Sequence, residues 1–285
     1  MNRNSFLLKI IIGLLLLLGL IFIASIGVPK SIDLTKPAGV LYPTCQTDGV
    51  DCYLLFKKHL TRVLIGVMAF IFASKVGLKF WHRITPLYFG ASFLLLIAVL
   101  ILGKSFTTFA TSWIVIFNSS LQPTEIAKLA MILYLARWFS INGNNIRDFH
   151  KGFVSFCILA GIMIVPLVMQ PDLGSTMVLA AISVGMYYYA GAVKKHLLTG
   201  FITATVFCLM LIPLNDYLKY RFLAYLNPSI ENCQVDNNGN RKDYCWQTEQ
   251  ANIAVASGGF LGKGLTKGIQ KSYWLPQSAD DFIFA

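Results

Sequence analysis

Two adjacent carboxylates, Asp280 and Asp281, stand where a polar, glycine-rich, basic stretch gives way to the apolar run Phe282-Ile283-Phe284-Ala285. A carboxylate at the point where a loop enters a membrane is costly unless it is paired or used. One use is as a general base that takes a proton from an attacking hydroxyl. The other is to cap the first turn of the helix that follows, and the position suits both. Upstream in the same stretch, ASGGFLGKGLTKGIQKSYWLPQSADDFIFA, Lys263, Lys267 and Lys271 recur every four residues. On a helix they would share a face, and in a loop they would form a cationic patch for an anionic partner or simply a solvated surface.

A second set of charges lies deeper. In Ser119-Ser120-Leu121-Gln122-Pro123-Thr124-Glu125-Ile126-Ala127-Lys128, Pro123 suits the first turn of a helix and Glu125 can meet its dipole. Lys128 is a cation one turn further in, and Glu125 and Lys128 are i,i+3 neighbours able to pair. Asp172 opens another apolar run from the same expected side, also just after a proline. A Glu125–Lys128–Asp172 cluster would leave fewer unpaired charges in lipid. It reads as a structural tie or as a supporting part of the chemistry.

What must position these groups is a membrane bundle. Of the 285 residues 56% are hydrophobic and 13% charged, and several runs approach the ~20 apolar residues that cross a bilayer. The reading is an all-α polytopic membrane protein forming a single membrane domain over residues 1–285. Expected spans are about Ile10–Val28, Val63–Val76, Pro86–Gly103, Gln122–Phe139, Phe153–Met169, Ser175–Val193 and Leu197–Leu214, with an eighth starting at Phe282. The first is read as retained rather than as a signal peptide, because the run is long and no clear cleavage site follows. Basic turns (Lys75 to Arg83, Asn142 to Lys151, Lys194-Lys195-His196) place the N-terminus inside. A large extracytoplasmic loop is then expected over 215–281. Lys30, Lys36, Lys57, Lys58 and Arg62 fall in an expected outer loop, Pro29 to Arg62, against the positive-inside rule. They are either exceptions to it or a binding surface.

The net charge of +11 suits anionic lipids or phosphate-bearing substrates. Nucleic acid is disfavoured, because the basic residues are scattered among short loops. Cys45 and Cys52 share one expected outer loop, and Cys233 and Cys245 share another, which suits two local disulfides. Cys157 and Cys208 lie in spans as small apolar residues. The four histidines are dispersed, so no protein-held zinc is expected. No phosphate-cradling nucleotide loop occurs, and nothing calls for a haem.

Three segments carry a resemblance: QPTEIAKLA, QPDLGSTMVLA with its trailing YYYAGA, and IAVASGGFLGKGLTKGIQKSYWLPQSADDFIFA. Together, in order and on matching sides, they resemble the signature regions of the SEDS family (FtsW, RodA, SpoVE), which are membrane peptidoglycan glycosyltransferases. IQKSYWLP and Trp246-Gln247 resemble the division-type, FtsW-like branch more than the elongation-type one. The family implies about ten spans, so the chain looks C-terminally truncated, without the acidic-glycine segment that follows DFIFA. Thr111-Ser112-Trp113-Ile114 keeps the family's tryptophan and lacks its arginine. PQSADDF departs from the family's P-E-x-H-T-D-F; alignment on the proline and phenylalanine puts the essential aspartate at Asp281 and the threonine's position at Asp280.

The resemblance implies inverting polymerisation of lipid II into glycan strands at the outer face of the bacterial cytoplasmic membrane. Asp281 would be the catalytic base, with Lys57, Lys58, Lys263, Gln270, Lys271 and Trp113 binding substrate, and Lys267 and Arg62 adding charge. A divalent cation, magnesium or manganese, would serve the pyrophosphate; the residues that would hold a metal are unknown. Implied partners are a class B penicillin-binding protein and other divisome or elongasome membrane proteins. A lipid II flippase or an inactive scaffold for the penicillin-binding protein remain the alternatives.

Overall fold

A computed structural model of the chain describes residues 3–102, 113–116, 119–170, 172–211, 243–260, 262–264, 267–270, 274–275 and 278. The chain divides into two compact units, one made of Met1–Ala73 with Leu211–Ala285 and the other of Ser74–Met210.

In the first unit, helix α1 (Arg3–Thr35) has 33 residues, about 50 Å at 1.5 Å per residue. That exceeds the ~30 Å apolar core of a bilayer. The expected break at Pro29 does not occur, and Pro29 lies inside the helix. The helix persists because its last turns are anchored. The Ser31 hydroxyl is fully buried, donates to Gly27 O at 2.7 Å and accepts from Leu55 N at 3.1 Å. Thr35 Oγ1 accepts from Asp51 N at 3.0 Å. A side chain at Gly27 would meet Leu55 Cβ at 3.3 Å, so glycine permits this close approach to helix α2 (Leu54–Lys75). The connection is therefore shorter than the polar loop expected over Pro29 to Arg62: Lys57, Lys58 and Arg62 lie on the opening turns of α2.

Cys45 and Cys52 form the expected disulfide, with Cα atoms 5.6 Å apart, and Cys52 is buried. Replacing both by serine is expected to destabilise this unit by about 2–3 kcal/mol, the loop entropy released to the unfolded chain. Thermal unfolding of the purified protein with and without reductant measures it, and an unshifted transition would mean that the bridge carries no stability.

In the second unit, helix α3 (Leu78–Leu102) leads towards a two-stranded antiparallel hairpin, β1 (Ile114–Ile116) and β2 (Ser119–Leu121), with Ile114 opposite Leu121. Helix α4 (Pro123–Asn142) is its centre and packs against α3, helix α5 (Ser155–Met169) and helix α6 (Leu173–Tyr189). Ala127, Ala130, Met131 and Leu135 of α4 are fully buried, the small residues letting neighbouring backbones approach. Phe89 stacks on Tyr134 at 4.2 Å, and Phe156 stacks on the buried Tyr187 at 4.4 Å. A π-helical turn (Phe149–Val154) runs straight into α5, and helix α7 (Lys194–Leu211) closes the unit.

Among the described residues three helical stretches, Phe6–Thr35, Leu78–Ile101 and Phe149–Met169, are long and apolar enough to cross a membrane by length and composition. Helices α1 to α7 overlap the seven expected spans in order, and α1, α3 and α5 are the ones that contribute those three stretches. Helix α2 carries Lys57, Lys58, Arg62 and Lys75, and α4 carries Glu125, Lys128 and Arg137, which lowers the apolarity of both. The next helix among the described residues, α8 (Asp243–Gly258), lies inside what the sequence reads as an extracytoplasmic loop. Gln250 and Ala254, four apart, are both buried and mark its packed face. It stops at Gly259, whose φ of 60° lies in the left-handed region that favours glycine as a helix terminator.

Candidate functional site

The charged group at the start of α4 is built by the helix itself. Gln122 supplies the extended N-cap residue without a side-chain cap, and Pro123 enters the first turn. Glu125 sits in that turn, favourable to the helix dipole. Its Oε1 accepts from Lys128 Nζ at 2.7 Å. The two ends differ in burial, with the lysine side chain 21% exposed and the glutamate 61%. Removing the carboxylate therefore strands a half-buried cation, while removing the lysine leaves an accessible anion. Glu125→Gln is expected to cost about 1 kcal/mol and Lys128→Gln a few tenths. Unfolding of the two variants in matched detergent checks the order, and equal costs would show the pair to be a surface contact only.

Asp172 is used differently from the expected cluster. Its Oδ1 accepts from Ser175 N at 3.1 Å and its carbonyl from Thr176 Oγ1 at 2.7 Å, so it caps α6. Among the described residues no ion pair joins it to Lys128. Sequence reasoning passed over its neighbour Gln170, which is 1% exposed and donates from Nε2 to Leu96 O at 3.0 Å. This bond ties the end of α5 to α3 and fixes the turn from which Asp172 starts. The one available signal was an amide closing an apolar run inside the QPDLG motif.

In the other unit, Lys57 Nζ lies 2.8 Å from Asp51 Oδ2. The Lys57 ammonium, helped by the Tyr53 backbone N–H, holds the Asp51 carboxyl below the ordinary aspartate value. Lys57 thus already has a carboxylate partner, whereas Lys58 is exposed on the same turns. In the glycine-rich stretch, Lys263 and Lys267 are exposed and lie in bends and turns. The loop alternative, not the shared helical face, therefore applies at these two positions. Gly262 and Gly264, at φ 71° and 87°, flank Lys263 and turn the backbone sharply on either side of it. Gln270 is half-buried; its carbonyl accepts from Leu275 N at 2.9 Å, and its Oε1 is buried without a hydrogen-bond partner among the described residues. Trp113 is half-buried just before β1.

Asp280, Asp281, Lys271 and Cys233 lie outside the described residues, as does the side chain of Cys245 within α8. Among the described residues no group of three His, Cys, Asp or Glu side chains could hold a metal ion.

A family model described as "Cell cycle protein", covering FtsW, RodA and SpoVE, matches residues 5–285. The chain is 34% identical over 236 residues to the probable peptidoglycan glycosyltransferase FtsW of Taylorella equigenitalis, covering 82% of this chain and 62% of that protein. It is 31% identical over 237 residues to the protein of the same description from Trichlorobacter lovleyi, covering 82% and 60%. The chain thus spans about 60% of the length of these curated relatives. A solved structure described as "Structural coordination of polymerization and crosslinking by a peptidoglycan synthase complex" shares the fold. Its TM-score is 0.56 at 22% identity, over 90% of this chain and 70% of that one.

Proposed function

The chain belongs to the FtsW/RodA/SpoVE family of multi-pass membrane proteins, and from that premise we propose that it is a peptidoglycan glycosyltransferase. In this reading it polymerises lipid II at the outer face of the bacterial cytoplasmic membrane, with its N-terminus inside, for cell division or cell shape. The observation that carries the reading is the match over residues 5–285 together with the three motifs in family order. The description of its relatives as probable peptidoglycan glycosyltransferases supports it, and their being FtsW proteins agrees with the division-type motif. The proposal treats residues 1–285 as one membrane domain whose segment 215–281 carries the catalytic motif.

The reaction is a single displacement. The acceptor sugar hydroxyl forms a bond to the anomeric carbon of the donor, the bond from that carbon to the pyrophosphate oxygen breaks, and the configuration inverts. Asp281 takes the hydroxyl proton. Negative charge gathers on the leaving pyrophosphate, and Lys58, Lys263, Lys267 and Lys271 are the cations assigned to it. Lys57 is a weaker candidate, because binding phosphate would compete with Asp51. Trp113 and Gln270 remain in the substrate-binding assignment. The described residues offer no three-ligand metal site, so no step is drawn through magnesium or manganese. A class B penicillin-binding protein, with other divisome or elongasome membrane proteins, completes the proposed assembly.

The test is synthesis of glycan strands from labelled lipid II by the purified protein with its penicillin-binding partner and magnesium in detergent. Polymer is the expected product. A flippase does nothing in detergent, where no membrane sides exist, and a scaffold binds its partner without product; either result overturns the proposal.

A further inference from the structure

Two short segments meet at one end of the 74–210 unit, where α4 and α6 finish and α5 and α7 begin. One holds Arg147, Phe149, His150 and Lys151, and the other Lys194 and Lys195; all six are exposed. Their contact is direct. Tyr187 donates from its hydroxyl to Ile146 O at 3.1 Å, and its oxygen lies 3.5 Å from His196 Nδ1. The rings of Phe149 and Phe153 each lie 5.5 Å from that of His196. The turn between α6 and α7 is fixed by a helix-terminating pair of bonds, Ala192 N to Tyr187 O and Gly191 N to Tyr188 O, around Gly191 at φ 90°.

The charge on this face is one-sided. Asp148 is the sole carboxylate in residues 146–153 and 190–197, and its Oδ1 is turned onto Lys151 N at 2.7 Å. That backbone bond, with the His150 backbone N–H and the nearby Lys151 ammonium, holds its carboxyl below the ordinary aspartate value. Arg147, Lys194 and Lys195 have no ion pair among the described residues. Phe149, 45% exposed, opens Phe149–Met169, one of the stretches long and apolar enough to cross a membrane. With that stretch taken as a span, the cations fall at its end, beside the exposed apolar ring of Phe149.

We propose that this face is a binding site for the phosphate headgroup of an anionic phospholipid, with Arg147, Lys151, Lys194 and Lys195 around the phosphate and Phe149 against the upper acyl chain. Basic pockets between helices at a membrane surface recognise such headgroups. A free phosphate would gain nothing from Phe149, and the contacts of Tyr187 with Ile146 and of Phe149 with His196 hold the backbones of the two basic segments side by side. The site shares no residue with the proposed reaction, and its test involves no lipid II.

The experiment titrates the full chain in detergent with phosphatidylglycerol or phosphatidylcholine and counts bound lipid by native mass spectrometry. The wild type is expected to bind phosphatidylglycerol at least about tenfold more tightly. Arg147→Gln/Lys194→Gln/Lys195→Gln is expected to abolish the preference, and Lys194→Gln/Lys195→Gln to lose part of it. Lys75→Gln/Lys79→Gln/Arg83→Gln removes the same formal charge around the α2–α3 turn and is expected to keep it. Absence of the preference in the wild type, its survival in the first triple variant, or equal loss in both triple variants would each overturn the proposal.

Discussion

Asp281→Asn is expected to lower glycan synthesis from lipid II by about 10²–10⁴-fold, the usual contribution of a positioned general base. The choice of asparagine separates the two uses of this position. Asparagine caps a helix N-terminus about as well as aspartate, so the variant keeps the structural use and loses only the ability to take a proton. Asp281→Ala removes both and would confuse them. Asp280→Asn, on the adjacent residue, is the matched control and is expected to retain activity. Wild type and variants are compared as polymer on gels after an equal check of folding by thermal unfolding and of partner binding. Equal polymer from wild type and Asp281→Asn would remove Asp281 as the base and move attention to Asp280 or Glu125.

The largest structural effect is expected at Gly152→Ala. A Cβ there would lie 2.3 Å from Ile146 O, 2.6 Å from Asn145 O and 2.7 Å from Ile146 C. All three are backbone atoms of the turn that precedes α5, so no side chain can swing aside. Ile146 cannot retreat freely either, because it is buried and its carbonyl accepts from the buried Tyr187 hydroxyl. Accommodating the methyl means moving the π-helical turn off the α6 end, at a cost of about 3 kcal/mol or more. Thermal unfolding in detergent should show it as a drop of several degrees. Gly200→Ala offers a graded comparison, since its Cβ would meet only the edge of the Phe153 ring, at 3.3 Å, and a much smaller loss is expected. Equal, small shifts at both positions would mean that the Asn145–Gly152 backbone is not held as closely as described.

Much of the organisation was legible in the residues because it is local. A run of apolar side chains long enough for a bilayer specifies a helix whatever surrounds it, and each of α1 to α7 overlaps an expected run. Cys45 and Cys52 pair because they lie seven positions apart in a glycine- and threonine-containing loop that lets them meet. The i,i+3 spacing brings Glu125 and Lys128 together through the helix geometry itself. The family motifs are strings of residues and need no structure to be seen.

Only tertiary structure decided the rest. Lys57, Lys58, His59 and Arg62 read as loop because they are polar, yet lysine and arginine are good helix formers, and contacts from Ser31 and Asp51 set the helix start at Leu54. Alpha-helix α8 is short, polar and hidden in a loop-like composition; burial of Gln250 and Ala254 selects it. Asp172 could have joined Lys128 or capped its own helix, and the position of the turn, held by Gln170 against Leu96 O, favours the cap. The proposed headgroup site of Arg147, Lys151, Lys194 and Lys195 joins segments more than forty residues apart, linked by Tyr187 to Ile146 at a sequence separation of 41. Sequence spacing fixes what neighbours along a helix can do, whereas meetings between helices depend on packing, and packing is a property of the whole bundle.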